Sequence, residues 1–301
     1  MRILFLPTCV AALRGFMNTP EGQIHYRVWG DMLENATALV MFHGNPRSTA
    51  EFERFAPLLC HNHPVVSFDF YGQGNSDDCR SCGDNGTVAL DVFAGYVGHE
   101  LGLLGVRRFV PVGQASGTGV AVALAVQNPR SVSHLVLGNP IWYFPEVEKH
   151  VATYMAMTQH PALVANGSHV LEAWTNFNMN GHVPAGTDEP SMELTESKTL
   201  DRLRAFWTQH WYMRAYLQHN ARMLDSLRQV EVPVLVLYAS EFFAVYDAAG
   251  MNATQQRPVL LDAISHKVET VIPDSFEGFF WANASYVAPM VSRFLGDSQF
   301  I

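Results

Sequence analysis

The sequence reads as an α/β protein built on a doubly wound, mostly parallel sheet, with a helical segment inserted late in the chain. Three observations carry this. Short apolar runs alternate with helical stretches from Gln23 onward, the runs are continuously apolar, and the alternation stops after Asn139 and resumes at Val232. Continuously apolar strands belong to parallel sheets covered on both faces, and strands alternating with helices are what such sheets require for their crossovers.

In chain order, strands are expected at 38–42, 65–69, 109–112, 135–137, 234–238 and 268–272, most of them bounded by Gly, Pro or Asn. Helices are expected at 50–59, 90–104 and 119–127, the last rich in Ala and Val as a helix packed on a sheet should be. Residues 140–231 carry no strand signal, which divides the chain into a core of 1–139 and 232–301 and a helical cap insertion of 140–231. Four of the six tryptophans fall in that insertion, Trp142, Trp174, Trp207 and Trp211, together with Tyr143, Phe144, Phe177, Phe206, Tyr212 and Tyr216. Most of these aromatics suit the cap's own core; some should face the sheet, because a cap above the strand C-termini roofs the crevice where ligands bind in such sheets.

Composition narrows the function. With 301 residues, 48% hydrophobic and 16% charged, the chain is not disordered, and its apolar runs fall short of the ~20 residues that span a bilayer. Nineteen Lys and Arg stand against 28 Asp and Glu, a net charge of −9 with no basic cluster, which argues against a nucleic-acid partner. Cys79-Arg80-Ser81-Cys82 is a lone CxxC without the second pair a zinc site needs, leaving a close disulfide or two free loop thiols. The first dozen residues have the charge and short apolar stretch of a signal peptide, broken by Pro7, and Asn-x-Ser/Thr sequons occur at Asn35, Asn85, Asn166, Asn252 and Asn283. Secretory and intracellular locations both stay open.

Three stretches carry the chemistry. His43-Gly44-Asn45-Pro46 ends one strand, Asp69-Phe70-Tyr71-Gly72-Gln73-Gly74-Asn75-Ser76 ends the next, and Gly113-Gln114-Ala115-Ser116-Gly117 sits on a strand-turn-helix. Their order and spacing resemble the HGxP, DxxGxGxS and nucleophile-elbow stretches of the α/β-hydrolase superfamily over roughly residues 16–296, and HGNP is similar to haloalkane dehalogenases and epoxide hydrolases. The elbow needs Gly two residues either side of its nucleophile, because the turn presses those neighbours against backbone. In this chain the nucleophile position is Ala115, which has no attacking atom. A register shifted to Ser116 would put Gln114 and Thr118 at the flanks, so Ser116 is expected to supply an oxyanion-hole N–H instead.

The resemblance implies an acid after the strand at 234–238, where Phe242 stands, with Glu241 one residue off. It implies a His after the last strand, where Glu277 stands; the last histidine, His266, precedes that strand. His43 is a backbone-positioning residue in this motif. All three triad positions are therefore substituted, and what remains is a pocket: Gly44, Asn45 and Ser116 as hydrogen-bond donors, Ala115 and Phe242 as apolar lining, the aromatic cap above. The leading expectation is a non-hydrolytic binder of a small apolar molecule, or a structural subunit, with no cofactor. Two alternatives stay open: a cofactor-free lyase, isomerase or cyclase using Glu277 as acid or base, and an atypical hydrolase using Ser116 or a water activated by Glu277. A nucleotide-binding oxidoreductase, which Gly113-x-x-x-Gly117-x-Gly119 resembles, fails because that loop should follow the first strand and no Tyr-x-x-x-Lys occurs.

Overall fold

A computed structural model describes residues 13–32, 35–82, 86–140, 165–171, 174, 189–205, 207–248, 252–275 and 278–296. Its centre is one eight-stranded sheet: β1 (Leu13–Thr19), β2 (Gly22–Trp29), β3 (Thr37–Phe42), β4 (Val65–Phe68), β5 (Arg108–Gln114), β6 (Leu135–Gly138), β7 (Val234–Ala239) and β8 (Lys267–Ile272), in the order β1-β2-β4-β3-β5-β6-β7-β8. β1 and β2 form an antiparallel hairpin and β2 runs antiparallel to β4; every other pairing is parallel. β4, β6 and β7 are buried along their whole length, while the edge strands β1 and β8 are largely exposed. The expected strands are therefore all present. The hairpin escaped the pattern because a half-solvated antiparallel pair has no continuous apolar run.

Strand order dictates where the helices lie. The chain steps one way from β3 to β4 through α1 (Ala56–Leu59), then the other way through α2 (Leu90–Leu103) to β5 and through α3 (Gly117–Gln127) to β6. Parallel crossovers are right-handed, so a reversal of direction moves the helices to the opposite face of the sheet. Accordingly α2 packs on α3, and α1 packs on α10 (Ala284–Phe294). The reversal also leaves a crevice between the C-terminal ends of β3 and β5, whose loops leave in opposite directions.

The helix expected at 50–59 is two short pieces, a 3₁₀ turn at Thr49–Phe52 and α1. Ser48 caps the first by accepting the Ala50 N–H at 3.2 Å, and Pro57 stands in the opening positions of the second. Proline has no N–H to bond back to residue 53 and its ring clashes there, so it starts a new helix rather than continuing one.

Between β6 and β7 the described residues form α4 (Glu189–Arg204), α5 (Gln209–Asn220) and α6 (Met223–Arg228), and no strand among them. α5 and α6 pack on α3, and α4 lies against the short helix α9 (Phe279–Ala282) that follows β8. Of the aromatics in this stretch, Tyr212 and Tyr216 are fully buried, Trp211 is buried and Trp207 is two-thirds exposed; Trp142, Tyr143, Phe144, Phe177 and Phe206 lie outside the described residues. Tyr212 stacks on Phe70 at 4.2 Å between ring centres, so it faces the sheet. Cys79 and Cys82 form a disulfide.

Candidate functional site

The crevice at the ends of β3 and β5 is built by glycines. β5 runs into α3 with no spacer but Ala115 and Ser116, so the chain must turn sharply. Ala115 sits at the apex with φ of 48°, whereas Ser116 is already helical at φ −60°. A non-glycine in the left-handed region is strained and is held there by its surroundings. The Ala115 N–H donates to Gly138 O at 2.8 Å, and its carbonyl accepts from the Thr118 N–H at 3.1 Å and the Thr118 hydroxyl at 2.5 Å. A Cβ at Gly113 would come within 2.5 Å of Thr118 Cα, and one at Gly117 within 2.2 Å of Phe42 O, which is why both flanks are glycine. The elbow is complete in backbone, and its apex side chain is a methyl group.

The turn after β3 closes on this apex, where a Cβ at Gly44 would stand 3.2 Å from the Ala115 Cβ. The Asn45 N–H donates to Ser116 Oγ at 2.8 Å. The Gly44 N–H donates to Glu51 Oε2 at 2.9 Å. These donors were expected to face a ligand, and the structure commits both within the protein. Ser116 also interacts with Tyr212, whose hydroxyl donates to His43 O at 3.0 Å. Burial drives the Tyr212 pKa far up, against the lowering effect of that Ser116 contact, so Tyr212 stays a neutral donor. Ser116 is thus held from two sides, by the Asn45 amide and by Tyr212.

No base serves it. The His43 Nε2 accepts the Phe70 N–H at 3.1 Å and its Nδ1 lies 2.8 Å from Gly44 O, which fixes a neutral ring protonated at Nδ1. His43 therefore positions backbone. His266 precedes β8, and its carbonyl bonds Val234 N at the start of β7, the opposite end of the sheet from Ala115.

Beside this turn Asp69, fully buried at the end of β4, accepts from Thr49 N (2.6 Å) and Asn75 N (2.9 Å) and bonds His25 Nδ1 at 2.7 Å. Burial works to raise its pKa, but the hydrogen bonds from His25 and the Asn75 N–H oppose it, and the carboxyl stays below its usual value. Gly74, at φ +56°, is glycine because a Cβ would fall 2.2 Å from an Asp69 carboxylate oxygen. Gly72, at φ +67°, makes room for Thr208, whose hydroxyl donates to Gly72 O and ties the segment after β6 to the DxxGxGxS loop.

The later loops carry less. Phe242 opens α7 (Phe242–Ala248), the helix before α8 (Ala253–Asp262), and is fully buried against Tyr238, Phe243 and Tyr246, with ring centres 4.6 Å apart for Phe242 and Tyr246. Glu241 is exposed, its N–H bonded to Ser275 O. Glu277 lies outside the described residues. Of the residues singled out in the sequence, the fold brings Gly44, Asn45, Ala115 and Ser116 together, and the contacts of Phe242 are with its own aromatic neighbours. Sequence reasoning placed Tyr212 among the aromatics of the insertion but not at Ser116, where the packing of α5 brings it, and it missed the ion pair of Arg47 and Asp201, Nε to Oδ2 at 3.3 Å and buried on both sides. Among the described residues no group of three His, Cys, Asp or Glu side chains is arranged to hold a metal, and no helix is long and apolar enough to cross a membrane.

A glycine-flanked elbow at the switch point of a 1-2-4-3-5-6-7-8 sheet defines a class, and the comparisons agree. Residues 37–241 match the family model for the alpha/beta hydrolase fold, and the chain belongs to that family. The particular relatives are diverse. The chain is 35% identical over 121 residues to 2-hydroxy-6-oxononadienedioate/2-hydroxy-6-oxononatrienedioate hydrolase 2 of Pseudomonas putida, covering 38% of this chain and 39% of that protein. It is 32% identical over 114 residues to human 1-acylglycerol-3-phosphate O-acyltransferase ABHD5, covering 38% and 32%. It is 24% identical over 173 residues to haloalkane dehalogenase 2 of Mycobacterium tuberculosis, covering 58% and 56%. The matches thus span about a third to just over half of these relatives. Among solved structures, a hydrolase from Pseudomonas aeruginosa PA01 superposes with a TM-score of 0.72 at 17% identity, covering 94% of this chain and 98% of that one. The 2-hydroxy-6-oxo-6-phenylhexa-2,4-dienoate hydrolase of Rhodococcus sp. strain RHA1 superposes with a TM-score of 0.70 at 16% identity, covering 95% and 99%. At those identities the likeness concerns the fold.

Proposed function

We propose that this protein is a catalytically silent member of its family that binds a small apolar molecule without hydrolysing it, with residues 140–231 forming a cap over the crevice. One observation carries the reading: the nucleophile position is Ala115, and the neighbouring hydroxyl, Ser116, accepts the Asn45 N–H, while both ring nitrogens of His43, the imidazole of this turn, are committed to backbone. Acyl transfer needs a nucleophile activated by a base and donors aimed at the developing oxyanion. Here the first is a methyl group and the Asn45 donor is already taken. Residual acceleration of ~10³–10⁴ over water, the level left after a triad is removed, is too small for an evolved hydrolase.

The test is turnover of a nitrophenyl ester. The wild type should give none of ordinary enzyme size, and Ala115→Ser alone should rescue little, because a serine without a base keeps its proton. Ester turnover abolished by Ser116→Ala would overturn the proposal. Mass spectrometry of the protein as purified should find a small apolar ligand. The lyase, isomerase or cyclase reading rests on Glu277: Glu277→Gln should leave ligand affinity intact under either reading, and should abolish a measured turnover only under that one.

A further inference from the structure

Buried charge in this molecule is almost everywhere answered by hydrogen bonds. Asp69 takes two backbone N–H groups and a histidine, and Glu51 takes the Gly44 N–H. Among the described residues Arg47 departs furthest from this. Its side chain is 7% exposed, on the residue following the HGNP turn whose backbone N–H bonds Gly44 O at 2.9 Å. Asp201 of α4 meets it only at Nε, at 3.3 Å and outside hydrogen-bonding geometry, so that Nε, Nη1 and Nη2 all lack an acceptor, as does Asp201 Oδ2. Guanidinium is a planar fork whose N–H groups match the paired oxygens of a carboxylate or phosphate, and a buried charged donor left unmatched is costly. A second buried cation, Lys198, lies on the same helix three residues before Asp201, with its ammonium against Gly278. The Arg47 guanidinium therefore belongs to the turn that closes on Ala115, with its buried donors unanswered.

We infer that Arg47 is an oxyanion-recognition residue: the ligand of this site is an amphiphile whose apolar body occupies the crevice and whose carboxylate or phosphate end is held by the Arg47 Nη groups. Asp201 keeps the guanidinium in place from the Nε side. This deepens the binding role proposed above and rests on it for the apolar body, though not for the anion.

Calorimetric titration of the full chain with decanoate, decyl phosphate and decanol at pH 7.5 separates the two claims. The wild type should bind both anions at least tenfold more tightly than decanol, and Arg47→Met should lose at least tenfold on the anions while decanol is unchanged. Should Arg47→Met fail to fold with Asp201 left alone, the Arg47→Met/Asp201→Leu pair carries the same comparison. Decanol binding as tightly as the anions, or anions bound equally by the variant, would overturn the inference and leave the apolar binder standing. If no alkyl ligand binds, acetate and inorganic phosphate decide the matter through the Arg47 Nε–H resonance: a saturable shift keeps the anion site while the apolar reading falls, and no shift removes both.

Discussion

Asp69 and Arg47 are two buried charges flanking one turn, and they are treated in opposite ways. Asp69 sits in a cage of donors, with Gly74 withdrawn to make room for it. The Arg47 guanidinium has Asp201 as an ionic neighbour and no hydrogen bond. Desolvating an ion costs several kcal/mol, and only good geometry with further hydrogen bonds offsets it. A saturated charge therefore holds the fold together, whereas an unsaturated one marks a place where the protein is incomplete without a partner.

The largest expected effect breaks the saturated side. Asp69→Ala should cost about 3–5 kcal/mol in denaturant unfolding, because it strands three donors aimed at one point. The pH dependence has a definite sign. With its folded pKa below the unfolded value, the Asp69 carboxylate contributes its full stability above about pH 4 and loses it as pH falls through the folded pKa.

Next is His219, buried near the end of α5 with neither ring nitrogen hydrogen-bonded. Burial, aided by Arg222 and opposed by Asp91, pushes its pKa down to about 4. The unfolded chain binds a proton first, so stability should fall by about 3 kcal/mol as pH drops from about 6.5 to about 4. His219→Phe should flatten that stretch of a thermal-melting profile; an unchanged slope would remove His219 as its cause.

Tyr212→Phe should cost about 1–2 kcal/mol, since it deprives His43 O of its donor and Ser116 of a partner. The variant should remain inactive on nitrophenyl esters, because freeing Ser116 supplies no base. The smallest effect sharpens the contrast. Replacing both members of the open pair, Arg47→Met/Asp201→Leu, should leave ligand-free stability within about 1 kcal/mol of wild type, or raise it, since buried ion pairs exchanged for apolar groups are commonly neutral or stabilising. A loss as large as that for Asp69→Ala would mean that Arg47 serves the fold and not a ligand.

Much of this was legible in the chain. The parallel strands announce themselves as continuous apolar runs, and the elbow announces itself because Gly113 and Gly117 are dictated by backbone contacts a few residues away. The β1–β2 hairpin was not legible, since its exposed face needs no apolar residue, nor was the break at Pro57 within an otherwise helical stretch. The occupied Asn45 and Gly44 donors were not either: the acceptors come from Ser116 and Glu51, and nothing in the sequence says which partner an N–H will choose.

The sequence by itself determined the family, the parallel strands and a methyl side chain at the elbow's apex, because these depend on residue identity and on local period. Only the tertiary structure decided what became of the neighbours. Ser116 is held by Tyr212 from a helix almost a hundred positions later, and Arg47 is left half-answered by an aspartate on α4. Both outcomes depend on distances of a few ångströms between segments distant in the chain, and hydrogen bonding is decided at that scale.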